Sequence, residues 1–561
     1  MPAAVRGAGR EGEGRAESSF CSQKEGSSFF PLAATLILLL AAAPAAAQGL
    51  LPATGADVRP GDLRKQFDRA YQRGPALTQP GWTVTPSADL TIAWTDAVPR
   101  TLAAARAGGR RFKSDFYTIL SPGLVVQGTG PRLEGTLNLA PQLRRYLSTS
   151  SQNTIATNFA GRGKAILIRD QLWVDVTGTS AIQSRNGGQG QATNLARNDQ
   201  IQTTSYSVAP TWQQRFGDLG IAELGTSFRQ SFTDGQRGVA ANAFSQPVAT
   251  GPTTSTSTYA SFVTGDILGR TSIRTEAMAS EFQGGGALQG ASRKKAGSEF
   301  GYKVTRVVAV IGSLGYENIR YGGTTPFRTS GLTWSGGMRL TPDPDSKLTV
   351  SYGRRDGANS ASLDASYAPT ARIRMSGRYS EGLSTGAEDF QNAIALSDLD
   401  ATGQAVDRQT GVPISVTNNF FGAGSNTLTR TRRLTITTTI LLDRDVVSLS
   451  LRRDESTNVG GAVATTSGAV TKTTGLFGTV SVQRDINPGV SANLYSQIGT
   501  RNATGTFKSS QDTISVGATL TFVLSQTLSA RLEYTYTNNS STLPGQSLVQ
   551  NLVSAGLRKT F

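Results

Sequence analysis

A side-chain period of two runs through most of this chain and limits its fold more than any other feature. "TISVGATLTFVLS" sets Ile514, Val516, Ala518, Leu520, Phe522 and Leu524 against Ser515, Gly517, Thr519 and Thr521. "TLSARLEYTYT" sets Leu528, Ala530, Leu532, Tyr534 and Tyr536 against Ser529, Arg531, Glu533 and Thr535. "DVVSLSLRR" does the same with Val447, Leu449 and Leu451 against Ser448, Ser450 and Arg452. Alternation of this kind belongs to a strand held between two different media. Such segments recur roughly every 15 to 25 residues from Trp82 onward, so one all-β architecture is expected to fill the chain.

A two-sheet soluble sandwich also alternates. Three features favour a closed transmembrane barrel instead. The segments are longer than the usual ~5–6 residues and reach the ~9–11 needed to cross a bilayer obliquely. Tight connections ("GTGPR", "RDQ", "PDPDS", "LDRD") alternate with extended ones at 185–200, 233–255 and 383–425, the asymmetry of barrel turns and outer loops. Aromatic residues gather at segment ends (Trp82, Trp94, Tyr146, Trp212, Phe216, Phe232, Tyr534, Tyr536), where interfacial girdles sit. Counting from "WTVTPSADLTIAWT" to "LVQNLVSAGLRKTF" predicts an antiparallel up-and-down β-barrel of about 22 strands over 82–561. The boundaries near 298–322 are the hardest to separate.

Upstream of the barrel, "PLAATLILLLAAAPAAAQ" (31–48) reads as an apolar h-region ending in small residues, so 1–47 is expected to be a signal peptide with an extended or misassigned start, cleaved near Ala47. The competing reading, a membrane anchor, suffers from a short Leu-rich part and from Pro44. Residues 48–81 form a periplasmic segment in which "PGDLRKQFDRAYQRG" predicts a short helix capped by Asp62, with Leu63, Phe67 and Tyr71 on one face. The large 22-stranded energy-coupled transporters carry an N-terminal plug, and 34 residues are too few for one, so no plug domain is expected. The end of the chain, "SAGLRKTF", resembles the C-terminal signal read by the outer-membrane assembly machinery. Ser554, Gly556 and Phe561 match it, and Lys559 departs where a hydrophobic residue is usual. The cell outer membrane of a Gram-negative bacterium is the expected location.

The 561 residues contain no histidine and a single cysteine, Cys21. Outer-membrane phospholipases, omptin proteases and lipid A modifiers use a catalytic His, so no enzyme activity, metal or cofactor is expected. Lys and Arg exceed Asp and Glu by 55 − 39 = 16. The excess is spread singly along strands without interleaved aromatic clusters, which argues against nucleic acid. In "ARIRMSGRY" the alternation directs Arg372, Arg374 and Arg378 inward, and Arg229, Arg274, Arg433, Arg452 and Arg531 join them on other strands. A basic inner wall enriches anionic solutes. The alternative is that these arginines pair with Asp364, Glu223, Glu276 and Glu533 and simply hold the wall together. In the long 383–425 insert, Glu388, Asp389, Asp398 and Asp400 either fold inward against the arginines as a constriction or belong to an outward loop.

"WTVTPSADLTIAWTDAV" (82–98), "KSDFYTILSPGLVVQGTG" (113–130) and "TTSYSVAPTWQQRFG" (203–217) resemble the PEP-CTERM system-associated family of outer-membrane β-barrel proteins. Thr95-Asp96, Asp115-Phe116, Pro122-Gly123 and Tyr206 to Pro210 match its motifs, whereas Ala97 stands where Asn is common. The resemblance covers 82–217 in wording and the rest in architecture only. It implies a role beside exopolysaccharide synthesis and export, hence a channel or export-associated barrel with an anionic or neutral polysaccharide as a partner. The other reading is a structural or assembly barrel without an open pore, whose loops contact lipopolysaccharide or extracellular matrix.

Overall fold

The computed structural model describes residues 81–99, 112–184, 200–235, 251–343, 346–386, 388–389, 397–399, 405–407, 427–460, 470–505, 508–542 and 547–561. The expected signal peptide, the helix capped by Asp62 and the question of a plug lie outside these residues. Twenty-two strands form one closed antiparallel sheet. They are β1 (Gly81–Pro99), β2 (Phe112–Thr129), β3 (Leu133–Leu139 continued by Gln142–Tyr146), β4 (Thr154–Ala156 continued by Phe159–Ile168), β5 (Leu172–Ser184), β6 (Gln200–Arg215), β7 (Gly220–Gly235), β8 (Gly251–Thr264), β9 (Thr271–Gln283), β10 (Ala291–Lys303) and β11 (Val308–Tyr321). The second half comprises β12 (Phe327–Asp343), β13 (Ser346–Arg355), β14 (Ala358–Thr370), β15 (Ile373–Thr385), β16 (Leu428–Leu441), β17 (Asp445–Gly460), β18 (Val470–Asn487), β19 (Val490–Gly505), β20 (Ser509–Ser525), β21 (Leu528–Ser541) and β22 (Leu548–Thr560). Each strand pairs with its neighbours in sequence. β1 pairs with β22 from Ser87↔Thr560 to Thr95↔Leu552, which closes the ring. The count agrees with the alternation in the sequence, and the ambiguous 298–322 stretch resolves into β10 and β11.

The uninterrupted strands run from 10 to 19 residues, enough to cross a bilayer at a tilt. β3 is split at Pro141, which has no N–H to give to the ladder. The gap is bridged by Ala140 N–H donating to Asn158 O across the matching break in β4 (2.9 Å).

The two faces differ as the period of two requires. Leu90, Ile92, Leu314, Leu332, Ile436, Leu451, Ile514 and Leu532 are exposed on the outside, while Thr91, Thr95, Thr513, Ser515 and Glu533 are buried on the inside. A continuous exposed apolar exterior over a polar interior is stable only against acyl chains, so this is an outer-membrane-type barrel. No helix among the described residues is long and apolar enough to cross a membrane; the chain crosses with strands. Trp82, Trp212, Phe216 and Phe232 stand on the outside near strand ends, whereas Tyr534, expected there too, faces outward from the middle of β21. Tyr146 does not. It faces inward and packs on Tyr117 with ring centroids 4.9 Å apart, because its register partner Tyr117 lies on the luminal face of β2.

The two ends of the barrel are unequal. One has connections of two to six residues, as in β2–β3 and β20–β21, and it also carries the start of β1 and the end of β22. The other has connections of two to 42 residues, including 386–427 between β15 and β16. The seam between β1 and β22 is locked near this second end. Asp96, in a bulge of β1, accepts the backbone N–H and the side-chain amide of Asn551 (2.8 and 2.7 Å), and Thr95 Oγ1 accepts the amide of Gln550 (3.0 Å). At the other end Phe561 N–H donates to Pro86 O (2.9 Å) with its ring exposed. Gly556 lies against Thr91, where a Cβ would come within 2.6 Å of the hydroxyl, and Ser554 faces the interior. Lys559 shares the outer face with Leu557, and its ammonium reaches the Thr527 hydroxyl in the β20–β21 turn (2.8 Å). The stem spans the edge of the apolar band while the charge stays in water.

Candidate functional site

The inner wall carries many of its cations beside acids. Arg274 meets Glu276 (3.3 Å), Arg378 meets Asp364 (3.8 Å), Arg531 meets Glu533 (3.3 Å), Lys164 meets Glu134 (2.9 Å) and Arg339 meets Glu299 (3.5 Å). Arg433 and Arg452 converge on Asp454, an acid that sequence reasoning had not paired with them. Arg374 shares the inner face with Arg378 and is exposed, with no ion-pair partner among the described residues. Arg372, expected on the inner wall, stands instead in the β14–β15 turn at the short-connection end. It bridges to Asp443 in the β16–β17 turn (2.9 Å), both in open solvent, because β15 begins only at Ile373.

The densest polar cluster is at the opposite end, and it forms around a hairpin tip. Asp356 and Gly357 connect β13 and β14 as a two-residue turn, with φ of 52° and 74°. Two successive positive φ values define the type I′ turn that Asp-Gly favours. β13 is the shortest uninterrupted strand, and the tip lies on the inner face of β10–β12. There the Glu317 carboxylate of β11 accepts both tip N–H groups, from Asp356 (3.0 Å) and Gly357 (2.9 Å). Asp356 in turn holds the ammonium of Lys295 (2.8 Å) and the guanidinium of Arg293 (3.6 Å) on β10. Burial alone would raise the Asp356 pKa, but Lys295 and Arg293 outweigh it and hold the carboxyl well below its ordinary range.

The pairing of β14 with β15 stops at Leu363↔Tyr379, although β14 continues to Ala358, so the strands part and β15 has a free edge at 380–385. Two arginines satisfy that edge. Arg293 donates to Leu383 O (2.8 Å) and Arg355 to Glu381 O (2.6 Å). Arg430 of β16 donates to Asp356 O (3.0 Å), which ties the hairpin tip to the far side of β15. An apolar seal lies alongside. Phe282, Leu288, Ile319, Tyr321, Leu383 and Leu428 are buried together, so β9–β11 and β15–β16 touch at this mouth.

The 386–427 segment leaves β15 through "TGAE". Thr385 Oγ1 accepts the Glu388 N–H (3.2 Å) and Glu388 accepts the Thr385 N–H (2.7 Å), the reciprocal pair of a capping box. Glu388 is 2% exposed, receives the Tyr321 hydroxyl (3.4 Å) and lies within electrostatic reach of Arg293 and of the buried Arg229 on β7. Burial pushes its carboxyl above the ordinary range despite the Arg293 guanidinium. Asp389 approaches Arg433 (3.8 Å). Farther along, a short hairpin of Ser397–Leu399 and Ala405–Asp407 comes up against Phe159–Ile168 of β4. β4 is eleven strands from β15 in a ring of 22, so this hairpin lies against the wall opposite β15. Asp398 belongs to that hairpin by its backbone. Asp400 lies outside the described residues.

The signals for much of this mouth were local. Asp356-Gly357 between two alternating runs is a hairpin signal and Thr385–Glu388 a capping box. Glu317, Arg293 and Lys295 carried none, because their partners are 22 to 90 residues away.

No family model and no curated protein sequence matches the chain. Among solved structures it is similar to the siderophore receptor PirA from Acinetobacter baumannii, at 10% identity and a TM-score of 0.42 over 86% of this chain and 81% of that one. An apoprotein form of the FrpB iron transporter from Neisseria meningitidis gives 9% identity and 0.46 over 88% and 83%. The open form of the ferric-catecholate import receptor Fiu from E. coli K12 gives 9% and 0.44 over 86% and 82%.

Proposed function

We propose that this protein is an outer-membrane conduit for polar solutes whose outer mouth is held shut by Glu388 and Asp389, by the hairpin of Ser397–Leu399 and Ala405–Asp407, and by the inturned Asp356–Gly357 tip. The observation that carries the reading is the contact of the Ser397–Leu399 strand with β4, on the wall opposite the buried Glu388 beside the end of β15. The polar inner face supports passage of hydrated solutes, and the pairing of its arginines with acids argues for weak rather than strong anion preference. The likeness of 82–217 to the PEP-CTERM system-associated family extends the reading to an export-associated role in exopolysaccharide secretion.

Removing 387–426 and recording single-channel currents in planar bilayers tests the conduit. A large, long-lived conductance that the full chain lacks is the expected result. Equal conductance in both proteins excludes the segment as the barrier. A second reading, a permanently closed structural barrel, is favoured by the apolar seal of Phe282, Tyr321, Leu383 and Leu428. It predicts no conductance even after the deletion.

A further inference from the structure

On the outside of the barrel, two stretches of the long-connection rim treat their charges differently. Across β15–β18 the outward side chains alternate in sign. Glu381 meets Arg432 (3.5 Å), Arg432 meets Glu455 (3.7 Å) and Glu455 meets Lys472 (2.8 Å). This row is neutralised from within.

The rim over β10–β12 is not. Arg320 of β11 and Arg328 of β12 stand directly opposite each other in the register, and both are exposed. One register step lower, Lys294 faces Asn318, whose other neighbour is Ser330. Among the described residues none of these three cations has an ion-pair or hydrogen-bond partner; the nearest acid on this face, Glu281, lies beyond Ser292 from Arg320 and diagonal to Lys294 on β9. Like charges directly across a ladder repel, at Cα separations of about 4.5–5.5 Å. An anion seated between the two relieves that repulsion.

The columns beneath these cations identify the medium of that anion. Down the same outer face follow Tyr316 and Leu332, then Leu314 and Trp334, all strongly exposed, with Trp334 edge-on to Tyr352 (6.3 Å). Arg320 is four positions along the strand from Tyr316. At ~3.3 Å per residue and a tilt of roughly 40° this is about 10 Å along the membrane normal. With the aromatic residues at the edge of the acyl region, the guanidiniums stand at headgroup level. They face lipid and not the lumen, so a solute in transit does not meet them.

The geometry points to Arg320, Arg328 and Lys294 as a binding site for the phosphates of a phosphorylated glycolipid in the outer leaflet. Arginine presents a planar fork that matches phosphate oxygens, and two forks from adjacent strands clamp one phosphate from both sides. Lys294 adds a third charge below it. The inference rests on the reading of the long-connection end as the outer mouth.

The test uses the full chain folded in detergent, with bisphosphorylated lipid A, its dephosphorylated form and inorganic phosphate as probes, read by native mass spectrometry. Each cation near a charged lipid surface contributes about fivefold in affinity, so Lys294→Gln/Arg320→Gln/Arg328→Gln is expected to hold the bisphosphorylated lipid about a hundredfold more weakly. Arg432→Gln/Lys472→Gln, on the neutralised rim, is expected to bind as the parent does. Arg328→Gln alone relieves the repulsion, folds, and binds about fivefold more weakly, which keeps the test decisive should the triple variant misfold. Equal retention by these variants and the parent overturns the site. So does equal retention of dephosphorylated lipid, or complete displacement by millimolar phosphate, which would assign the cluster to free anions. Gel mobility of unboiled samples reports the barrel itself separately, so failure of the membrane reading is seen as such.

Discussion

Glu317→Ala is the substitution that most directly loosens the mouth. Glu317 is 3% exposed, and its two oxygens accept the N–H groups of Asp356 and Gly357 while lying 3.8 Å from Lys295. Its loss leaves two backbone donors unpaired on the inner face and removes one of the three acids, with Asp356 and Glu388, that balance Arg293 and Lys295. Hydrogen bonds to a charged acceptor contribute about 1.5–3 kcal/mol each, and breaking a buried charge network by removing one partner costs roughly 3–5 kcal/mol. Release of the tip into water recovers part of this, so a shift of about 3 kcal/mol toward the open mouth is expected. At 1.4 kcal/mol per tenfold, that raises the open-to-shut ratio by about a hundredfold. Single-channel recording reads this as frequent openings in Glu317→Ala where the parent shows rare ones. Glu134→Ala serves as the control. It removes only the partner of Lys164 on the open wall, where a paired charge is worth less than about 1 kcal/mol, and it should leave gating unchanged. Openings in Glu317→Ala as rare as in the parent, with unboiled gel mobility intact, refute the assigned role of the tip.

Two other outcomes follow from the same contacts. Asp96→Ala removes both bonds to Asn551 at the seam while leaving the backbone ladder in place, and is expected to lower the temperature at which the unboiled gel band is lost, at a cost of about 1–3 kcal/mol. Acidification should favour the shut mouth. Burial raises the Glu388 pKa, so the neutral form suits the shut state and the charged form penalises it. The penalty is present above the raised pKa and is relieved as pH falls through it toward the ordinary carboxylate range near ~4.3. Asp356 acts in the opposite sense. Its depressed pKa stabilises the shut state above the ordinary Asp range near ~3.9, and that contribution is lost only below it. Burial raises the neighbouring Asp389 carboxyl in the same way, so open probability measured from neutral pH down to about 4.5 should fall in the parent and fall less steeply in Glu388→Gln.

The strands were legible because each one separates lipid from water, and that contrast is written into every second residue from Leu90–Ile92 to Val549–Val553. Strand number and closure followed from the same pattern. What held the ring shut was not legible. Thr95-Asp96 stood out as a motif, but its partners Gln550 and Asn551 are 455 residues away. Asp115-Phe116 is similar. The Asp115 carboxylate accepts the backbone and hydroxyl of Ser148 in the β3–β4 turn, a contact 33 residues distant (3.1 and 2.8 Å). The alternation placed Arg378, Arg452 and Arg531 on the inner face, yet it could not tell where β15 begins, and so it misplaced Arg372. Alternation also carries no information on where two neighbouring strands part, as β14 and β15 do beyond Leu363↔Tyr379. The short β13–β14 hairpin creates both the inturned tip and the free edge of β15, and the mouth follows from those two features.

The claim beneath all of this is that neighbouring residues of one strand face acyl chains and water in turn. Single cysteines placed successively at 530–537, in a chain with Cys21→Ser, carry a fluorophore whose quenching is measured in bilayers. The account predicts that a lipid-bound quencher acts at Leu532, Tyr534 and Tyr536, and an aqueous ion at Arg531, Glu533 and Thr535, with a period of two. Quenching that does not alternate, or Leu532 and Tyr534 shielded from the lipid quencher, would contradict it.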